Sequence, residues 1–175
     1  MACDLSLGRI EPCKDSVGGL NAIYFVNFGD LGAITYDVTD TDVIDAIAGT
    51  PSAYKYDIKG SSTFTQNIQS DRATGTTAFE QVLEVTLKKL SAADHKELKL
   101  LAYGRPHVIV EDYNGNYFFA GLQHGCDVTG GTIVTGGAMN ELSGYTLTLT
   151  GMEKVPANFL GDTPTAVGFT VVSGS

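Results

Sequence analysis

A glycine-rich stretch from Cys126 to Gly151, CDVTGGTIVTGGAMNELSGYTLTLTG, is the first place where the sequence could do chemistry. It repeats Val-Thr-Gly-Gly at 128–131 and 134–137. Glycine-rich loops bind phosphate when their backbone amides open a helix and a lysine follows. This stretch contains no lysine, and the alternating residues after the glycines predict a strand. The pattern therefore favours a mobile surface loop or a bent, weakly packed hairpin over a phosphate site.

Cysteine and histidine are the next candidates, because together they could ligate zinc. His124 and Cys126 form an H-x-C pair, whereas Cys3 and Cys13 lie far upstream. A structural zinc site usually has tightly spaced ligand pairs in both halves. The spacing therefore indicates reduced thiols, acting as small hydrophobes or surface groups, and no metal site.

The remaining titratable residues do not form an acid–base pair in the sequence. His95 falls in the first turn of a predicted helix, where we expect it to be solvated, and His107 opens a predicted strand, where we expect it to pack. Glu111 and Asp112 are neighbours on that strand, so their side chains point to opposite faces and cannot flank one bond. No serine lies in a strand–turn–helix elbow. The sequence predicts no catalytic, cofactor-binding or metal-binding residues and no enzyme.

Composition and charge narrow the class of protein. The 175 residues are 43% hydrophobic and 18% charged, which fits one globular domain over 1–175. The net charge of −9 repels nucleic acid and anionic membranes, which disfavours sequence-reading DNA binding. No basic-plus-apolar leader and no run of about 20 apolar residues is present, so we expect neither a secretory signal nor a membrane span.

The elements that must position these residues are mostly strands. One helix is predicted after Ser91, which can cap it; Leu98, Leu101 and Ala102 line one face, and Gly104 ends it. Asn114-Gly115 predicts a hairpin with a type I′ turn. Residues 39–49 fit a turn of helix or a loop. Strands are predicted at 23–28, 33–37, 54–59, 61–71, 81–89 and 143–153, with one more in the tail before a frayed end. We expect a mainly β fold, a two-sheet sandwich or barrel with one flanking helix.

The sequence resembles the tail tube or ring-forming tail proteins of tailed bacteriophages. The resemblance runs from about Phe79 to Phe159 and rests on VIVEDYNGNYFFAGLQHGCDVTGG and NELSGYTLTLTGMEKVPANFL. The opening CKDSVGGLNAIYFVNFG is also similar to virion proteins of phages of gut Bacteroidetes, including the crAss-like group. These patterns carry no catalytic signature.

The resemblance implies a virion structural protein, assembled in the bacterial host cytoplasm, that forms a homo-oligomeric ring of six-fold or higher symmetry. Stacked rings would form a tail tube and part of the DNA conduit, next to other tail or neck proteins. Glycine- and threonine-rich segments at 60–77 and 127–144 are then candidate flexible arms that become ordered on a neighbouring copy. An acidic lumen would let DNA pass without binding.

Two other functional classes stay open. The chain could be another phage part, such as a tail terminator, a neck adaptor or a capsid decoration. It could also be a carbohydrate-binding β-sandwich in which tyrosines replace the usual tryptophans, since Trp is absent; sheet packing explains the tyrosines as easily. The tyrosines of that candidate platform are Tyr54, Tyr56, Tyr113 and Tyr117.

Overall fold

The computed structural model describes residues 3–58 and 61–174. Twelve strands and two helices follow one another along them. The first six strands are β1 (Leu20–Val26), β2 (Ile34–Tyr36), β3 (Val43–Ile47), β4 (Ser52–Asp57), β5 (Thr63–Asp71) and β6 (Thr76–Lys88). After them come α1 (Ala92–Tyr103), β7 (His107–Asp112), β8 (Tyr117–Ala120), β9 (Asp127–Val134), β10 (Gly144–Glu153), β11 (Asn158–Leu160), α2 (Pro164–Val167) and β12 (Thr170–Val172).

The strands form two sheets, so the expected two-sheet, mainly β fold is confirmed. Sheet A has eight strands in the order β12-β4-β1-β7-β8-β11-β3-β2. Sheet B has four in the order β5-β6-β10-β9, all antiparallel. The edge strands are therefore β12 and β2 in sheet A, and β5 and β9 in sheet B.

Sheet A separates two hydrophobic cores. Ile23 and Val108 belong to the core between the two sheets, together with Leu83 of β6 and Leu149 of β10. The other face of sheet A carries a second core that β3, β11 and α2 help to enclose. Strand β1 contributes to both cores, and this explains why its sequence is a continuous apolar run rather than an alternating one.

Sheet B shows the alternation that the sequence predicts. On β10, Tyr145, Leu147 and Leu149 face sheet A, while the threonines between them face outward. Strand β6 does the same with Leu83 and Val85. Its first residues were expected to be a polar link, but they extend the strand to Thr76, so β5 and β6 form one long hairpin.

The predicted helix is confirmed, with one correction on its packing face. Ser91 caps α1 by accepting a hydrogen bond from the backbone N–H of Asp94 at 3.1 Å, and the chain leaves the helix at Gly104. Leu98 is buried and Leu101 packs against the core between the sheets. Ala102, expected on the same face, is exposed. The helix thus lies over the sandwich with a narrow apolar contact.

The predicted hairpin joins β7 and β8, but the type I′ assignment was wrong. Of the two turn residues only Gly115 has a positive φ, +83°. The carboxylate of Asp112 accepts hydrogen bonds from the backbone N–H groups of Asn114 and Asn116, at 3.0 and 2.8 Å. This side-chain capping holds a longer loop, residues 113–116, in place of the two-residue turn.

Other elements escaped the sequence analysis. Residues 39–49 contain strand β3, not a helical turn or a loop. Strands β11 and β12 pair in parallel with β3 and β4, although no parallel pairing was expected. The tail does add a strand, as predicted, but it is preceded by the short helix α2, whose N-cap is Thr163.

The two expected arms coincide with paired strands. Within 60–77, the described residues from Thr63 to Asp71 pair with β6; residue 60 lies outside the described part of the chain. Within 127–144, Asp127 to Val134 pair with β10. Strands thus occupy parts of both segments, and the flexibility of the segments and their docking on a neighbouring copy stay predictions.

Candidate interaction surfaces

The segment before β1 makes the most exposed surface of the chain. Every residue from 4 to 19 is exposed. Leu5, Leu7 and Ile10 are 98%, 90% and 90% exposed. Soluble proteins tolerate single exposed apolar residues, but three large ones on one short extended segment indicate a surface that something covers. We call residues 4–16 the N-terminal arm. The sequence analysis did not identify it, although three large apolar residues in a short nonperiodic stretch were a signal that could have indicated it.

Hydrogen bonds join the root of the arm to the body of the protein. The side chain of Asn114 accepts a hydrogen bond from the Val17 backbone N–H at 2.9 Å and donates one to the Val17 carbonyl at 2.8 Å. Upstream, between Asp4 and Ser16, the ion pair of Arg9 with Glu11 is internal to the arm, and no hydrogen bond joins these residues to the described body. The β7–β8 loop thus sets the direction in which the arm departs.

A row of aromatic rings lies along one side of the gap between the two sheets. Phe64 of β5, Phe118 of β8 and Phe159 of β11 follow one another with ring centroids 6.2 and 4.8 Å apart. Phe159 is 42% exposed. Helix α1 contacts β9, at the edge of sheet B opposite to β5. We call this aromatic row the open side.

A cavity of about 450 Å³ joins the arm's root to the open side. Residues 17–20 form one wall, and residues 62–66 of the β5 region form the other. Phe118 and Asp112 complete the lining. Because β5 is the edge of sheet B, its outward backbone groups are available to another strand. The arm, the cavity and an unpaired strand edge are therefore neighbours.

The glycine-rich stretch has no geometry for a phosphate. Strand β9 follows Cys126 and turns back into β10, so no helix N-terminus is present in it. Gly131 has φ +150°, and a Cβ there would lie 2.3 Å from the carbonyl oxygen of Thr146, so close strand packing requires this glycine. In the loop after β9, Glu141 accepts hydrogen bonds from the backbone N–H groups of Gly137 and Ala138, which holds the carboxyl pKa below its usual value. Of the two interpretations of this stretch, the structure fits the bent hairpin.

The side chains of the H-x-C pair, His124 and Cys126, lie in different environments. His124 is exposed and Cys126 is buried, and burial together with the charges of Glu153 and Asp127 raises the pKa of the Cys126 thiol to about 12. A thiol with that pKa stays protonated and is a poor nucleophile and metal ligand. Within residues 3–58 and 61–174, no group of three or more His, Cys, Asp and Glu side chains is arranged so that it could hold a metal ion.

The other two histidines occupy the environments that the sequence predicts. His95 is exposed on α1. His107 is 3% exposed, stacks on Phe28 with centroids 5.1 Å apart, and hydrogen-bonds the Gly121 carbonyl through Nδ1. Desolvation lowers the pKa of His107, so the neutral ring is the buried form. Its role is to pack.

Glu111 and Asp112 have separate partners, as expected for successive strand residues. Glu111 accepts hydrogen bonds from the side chains of Asn21 and Tyr24, at 3.1 and 3.3 Å. Burial and the Glu111 charge raise the pKa of Tyr24. Asp112 instead caps the β7–β8 loop. The pair supports the fold and does not face a common ligand.

The candidate tyrosine platform does not form. Tyr56 packs against the core between the sheets, and Tyr117 packs against the core on the other face of sheet A. Tyr113 covers Gly19 at the arm's root, where an added Cβ would lie 2.8 Å from the ring. Tyr54 and Tyr56 are two residues apart on β4 and share a face, whereas Tyr117 lies on the other face of sheet A, so the four rings do not form one flat surface. The carbohydrate-binding alternative itself stays a prediction.

Comparison with known proteins gives no relative for this fold and these surfaces. The chain matches no protein-family model, no curated protein and no solved structure. Among the described residues, neither helix has the length and apolar character needed to cross a bilayer.

Proposed function

We propose that the protein is a non-enzymatic virion structural subunit that assembles with identical copies into a ring, or a stack of rings, in a bacteriophage tail. Assembly in the bacterial host cytoplasm and passage of DNA through the ring belong to the same proposal. The observation that carries it is the N-terminal arm, whose three large apolar side chains are almost fully exposed. The resemblance of residues 79–159 to tail tube proteins supplies the biological context.

The open side is the surface that fits such an arm. It offers the partly exposed ring of Phe159 beside Phe118, a cavity of about 450 Å³ that Phe118 lines, and the free edge of β5. An extended segment can add a strand to a free sheet edge, with backbone hydrogen bonds giving affinity and side chains entering pockets. In a closed ring each copy would donate one arm and receive another, so that every arm and every β5 edge is covered.

The free energies of burial and of backbone ordering favour a closed ring over an isolated pair of subunits. Burying three side chains of the size of Leu or Ile contributes roughly 5–9 kcal/mol. Ordering the backbone of about six residues, such as those from Leu5 to Ile10, costs roughly 6–12 kcal/mol. One arm contact therefore comes close to balance. Ring closure changes this balance, because each further contact within the ring is intramolecular and benefits from a high effective concentration.

The outer face of sheet B would suit a surface past which DNA moves. It carries the outward threonines of β10 together with Glu80 and Glu84 of β6. Glu80 accepts hydrogen bonds from Asn67 and Gln69, which keeps its carboxylate on that face. A polar, acidic surface gives phosphate groups no binding site, in keeping with the net charge of −9.

Sedimentation velocity and negative-stain microscopy of the purified protein test the proposal. We expect rings or tubes for the parent chain, and monomers for the variant Leu5→Ser/Leu7→Ser/Ile10→Ser. The matched control is Val38→Ser/Tyr103→Ser, which removes exposed apolar surface outside the arm, at residues 100% and 80% exposed. The control should assemble like the parent. A parent chain that stays monomeric at every concentration and salt, or an arm variant that still forms rings, would contradict the proposal.

The alternative phage parts differ from a tube subunit in how assembly ends. A terminator, a neck adaptor or a decoration protein would form single rings or small oligomers, whereas a tube subunit would form stacks whose length grows with concentration. The same micrographs therefore separate these functions.

A further inference from the structure

A second cavity, of about 320 Å³, lies at the other end of the sandwich, where β10 ends near β2 and β11. Its size falls at the lower end of the roughly 300–1,000 Å³ range of small-molecule sites. Three of its lining residues are buried polar side chains: Gln81, Glu153 and Asn158, which are 1%, 5% and 6% exposed. Burying such groups is costly unless each finds a partner, so their concentration in one cavity calls for an explanation.

One polar atom of each side chain is fixed by the backbone. Gln81 Oε1 accepts a hydrogen bond from the Gly121 N–H at 2.8 Å. Glu153 Oε1 accepts from the N–H groups of Gln123 and His124, at 3.1 and 2.9 Å. Asn158 Nδ2 donates to the Asp42 carbonyl at 3.2 Å. These bonds determine which way round both amides lie, because a backbone N–H needs an acceptor and a carbonyl needs a donor.

The other polar atom of each side chain has no partner among the described residues. These atoms are Gln81 Nε2, Glu153 Oε2 and Asn158 Oδ1. In the same part of the chain, no fully buried side-chain nitrogen or oxygen lacks a hydrogen bond. The three atoms therefore retain some access to solvent, and the cavity that their side chains line provides it. One donor and two acceptors are thus fixed toward a common space.

The other residues that line the cavity restrict the chemical class of ligand that can bind there. Tyr36, 39% exposed, and the apolar side chains of Leu122 and Pro156 offer surface to a ring's C–H groups. Asp42 and Glu153 outweigh Lys154, so an anion would be repelled. Hydroxyl groups both donate and accept, and therefore satisfy a fixed set of one donor and two acceptors better than a purely accepting or purely donating ligand does.

We propose that this cavity is a binding site for a neutral polyhydroxylated ring of monosaccharide size. Adjacent hydroxyls accept from Gln81 Nε2 and donate to Glu153 Oε2 and Asn158 Oδ1, while Tyr36 covers one face of the ring. This site is separate from the four tyrosines considered from the sequence, and it does not depend on assembly. A tail protein with such a site would contact a glycan.

Saturation-transfer difference NMR tests the site on the full chain in any state of assembly, because it observes the ligand. The probes are the methyl glycosides of glucose, galactose, mannose and N-acetylglucosamine, each at up to about 20 mM to reach millimolar dissociation constants. We expect a signal from at least one of them, and a weaker one from glucuronate, whose carboxylate meets the acidic lining. No signal from all four glycosides, or tighter binding of glucuronate, overturns the proposal.

Two variants locate the binding. Tyr36→Ala should weaken it about tenfold. Tyr54→Ala is the matched control, since Tyr54 is also 39% exposed in sheet A but does not line the cavity, and it should leave binding unchanged. Val155→Trp, placed at a lining residue that is 49% exposed, should block the cavity without touching the buried polar groups. Equal binding by the parent and both lining variants would show that the sugar binds elsewhere and would overturn the assignment.

Discussion

The gap between the two sheets is closed on one side and open on the other. On the closed side, α1 brings Leu98 and Leu101 against the core, and Tyr145 of β10 donates a hydrogen bond through its hydroxyl to the Ser91 carbonyl at 3.2 Å. On the open side, the tilted rings of Phe118 and Phe159 contact each other with centroids 4.8 Å apart, and Phe159 stays partly in solvent. Both sides carry large apolar side chains, and α1 covers those of the closed side.

The two sides of the gap should therefore contribute to different properties, one to monomer stability and the other to assembly. Residues on the closed side contribute to the stability of the monomer, because burial there is complete within one chain. Residues on the open side would gain most of their burial from a neighbouring copy, if the proposed assembly is correct. Substitutions on the two sides should therefore change different measurements.

The largest effect on monomer stability is expected on the closed side. Leu98→Ala removes a side chain that is 6% exposed, and should lower the free energy of unfolding by about 2–4 kcal/mol. Leu100→Ala, on the same helix but 53% exposed, should change it by less than about 0.5 kcal/mol. Urea denaturation followed by circular dichroism measures both. Similar losses for the two variants would show that α1 does not close the gap through Leu98.

A smaller loss is expected from the hairpin that holds the arm's root. At Gly115, φ is +83° and no atom lies within 4 Å of the Cβ position, so the cost of a side chain is in the backbone alone. Gly115→Val should destabilise the protein by about 1–2 kcal/mol. Gly115→Asn should cost less, since Asn tolerates the left-handed region. Thermal unfolding that is the same for Val and Asn would mean that the loop can adopt another conformation.

On the open side, stability and assembly should respond separately. Phe159→Ser should lower the free energy of unfolding of the monomer by about 1 kcal/mol or less, because the ring is already 42% exposed. It should nevertheless reduce ring formation strongly. Sedimentation velocity measures assembly and urea denaturation measures stability. A large loss of stability with assembly unchanged would assign Phe159 to the core and would remove the contrast between the two sides.

The smallest effect is a pH dependence at the buried end of β7. Desolvation lowers the pKa of His107, while Glu153 and Asp30 oppose the shift and Arg105 adds to it. The unfolded chain therefore binds a proton more readily than the folded one, so stability is complete above the unfolded pKa of about 6.5 and falls as the pH decreases below it. The free energy of unfolding should decrease between pH 7.5 and 5.5. His107→Gln should flatten this dependence, and His95→Gln, at an exposed site, should leave it intact.

The sequence predicted the elements whose signal is local. The alternation in β6 and β10, the Ser91 cap and the Asn-Gly hairpin each depend on residues a few positions apart. Strands β3 and β11 carry no such signal, because five and three residues are too few to show a period and their partners are remote in the chain. The type I′ assignment was wrong because Asp112, outside the two-residue motif, accepts hydrogen bonds from the loop's N–H groups.

The candidate sites could be predicted from the sequence even less well than the strands and helices. The polar cavity collects Gln81, Glu153 and Asn158 from three strands, and only the folded register brings them to one end of the sandwich. The N-terminal arm was not predicted from the sequence, because the exposure of Leu5, Leu7 and Ile10 is visible only in the folded chain.

The parallel strands near the C-terminus have a consequence for production of the protein. Residues 158–172 supply β11, α2 and β12, which cover Ile44 and Ile47 in the second core. Chains that end before residue 158 would expose apolar side chains of the second core and would leave two strand edges unpaired. Such fragments are ready substrates for cellular proteases. If the proposed assembly is correct, truncated copies would be degraded before they could join a ring.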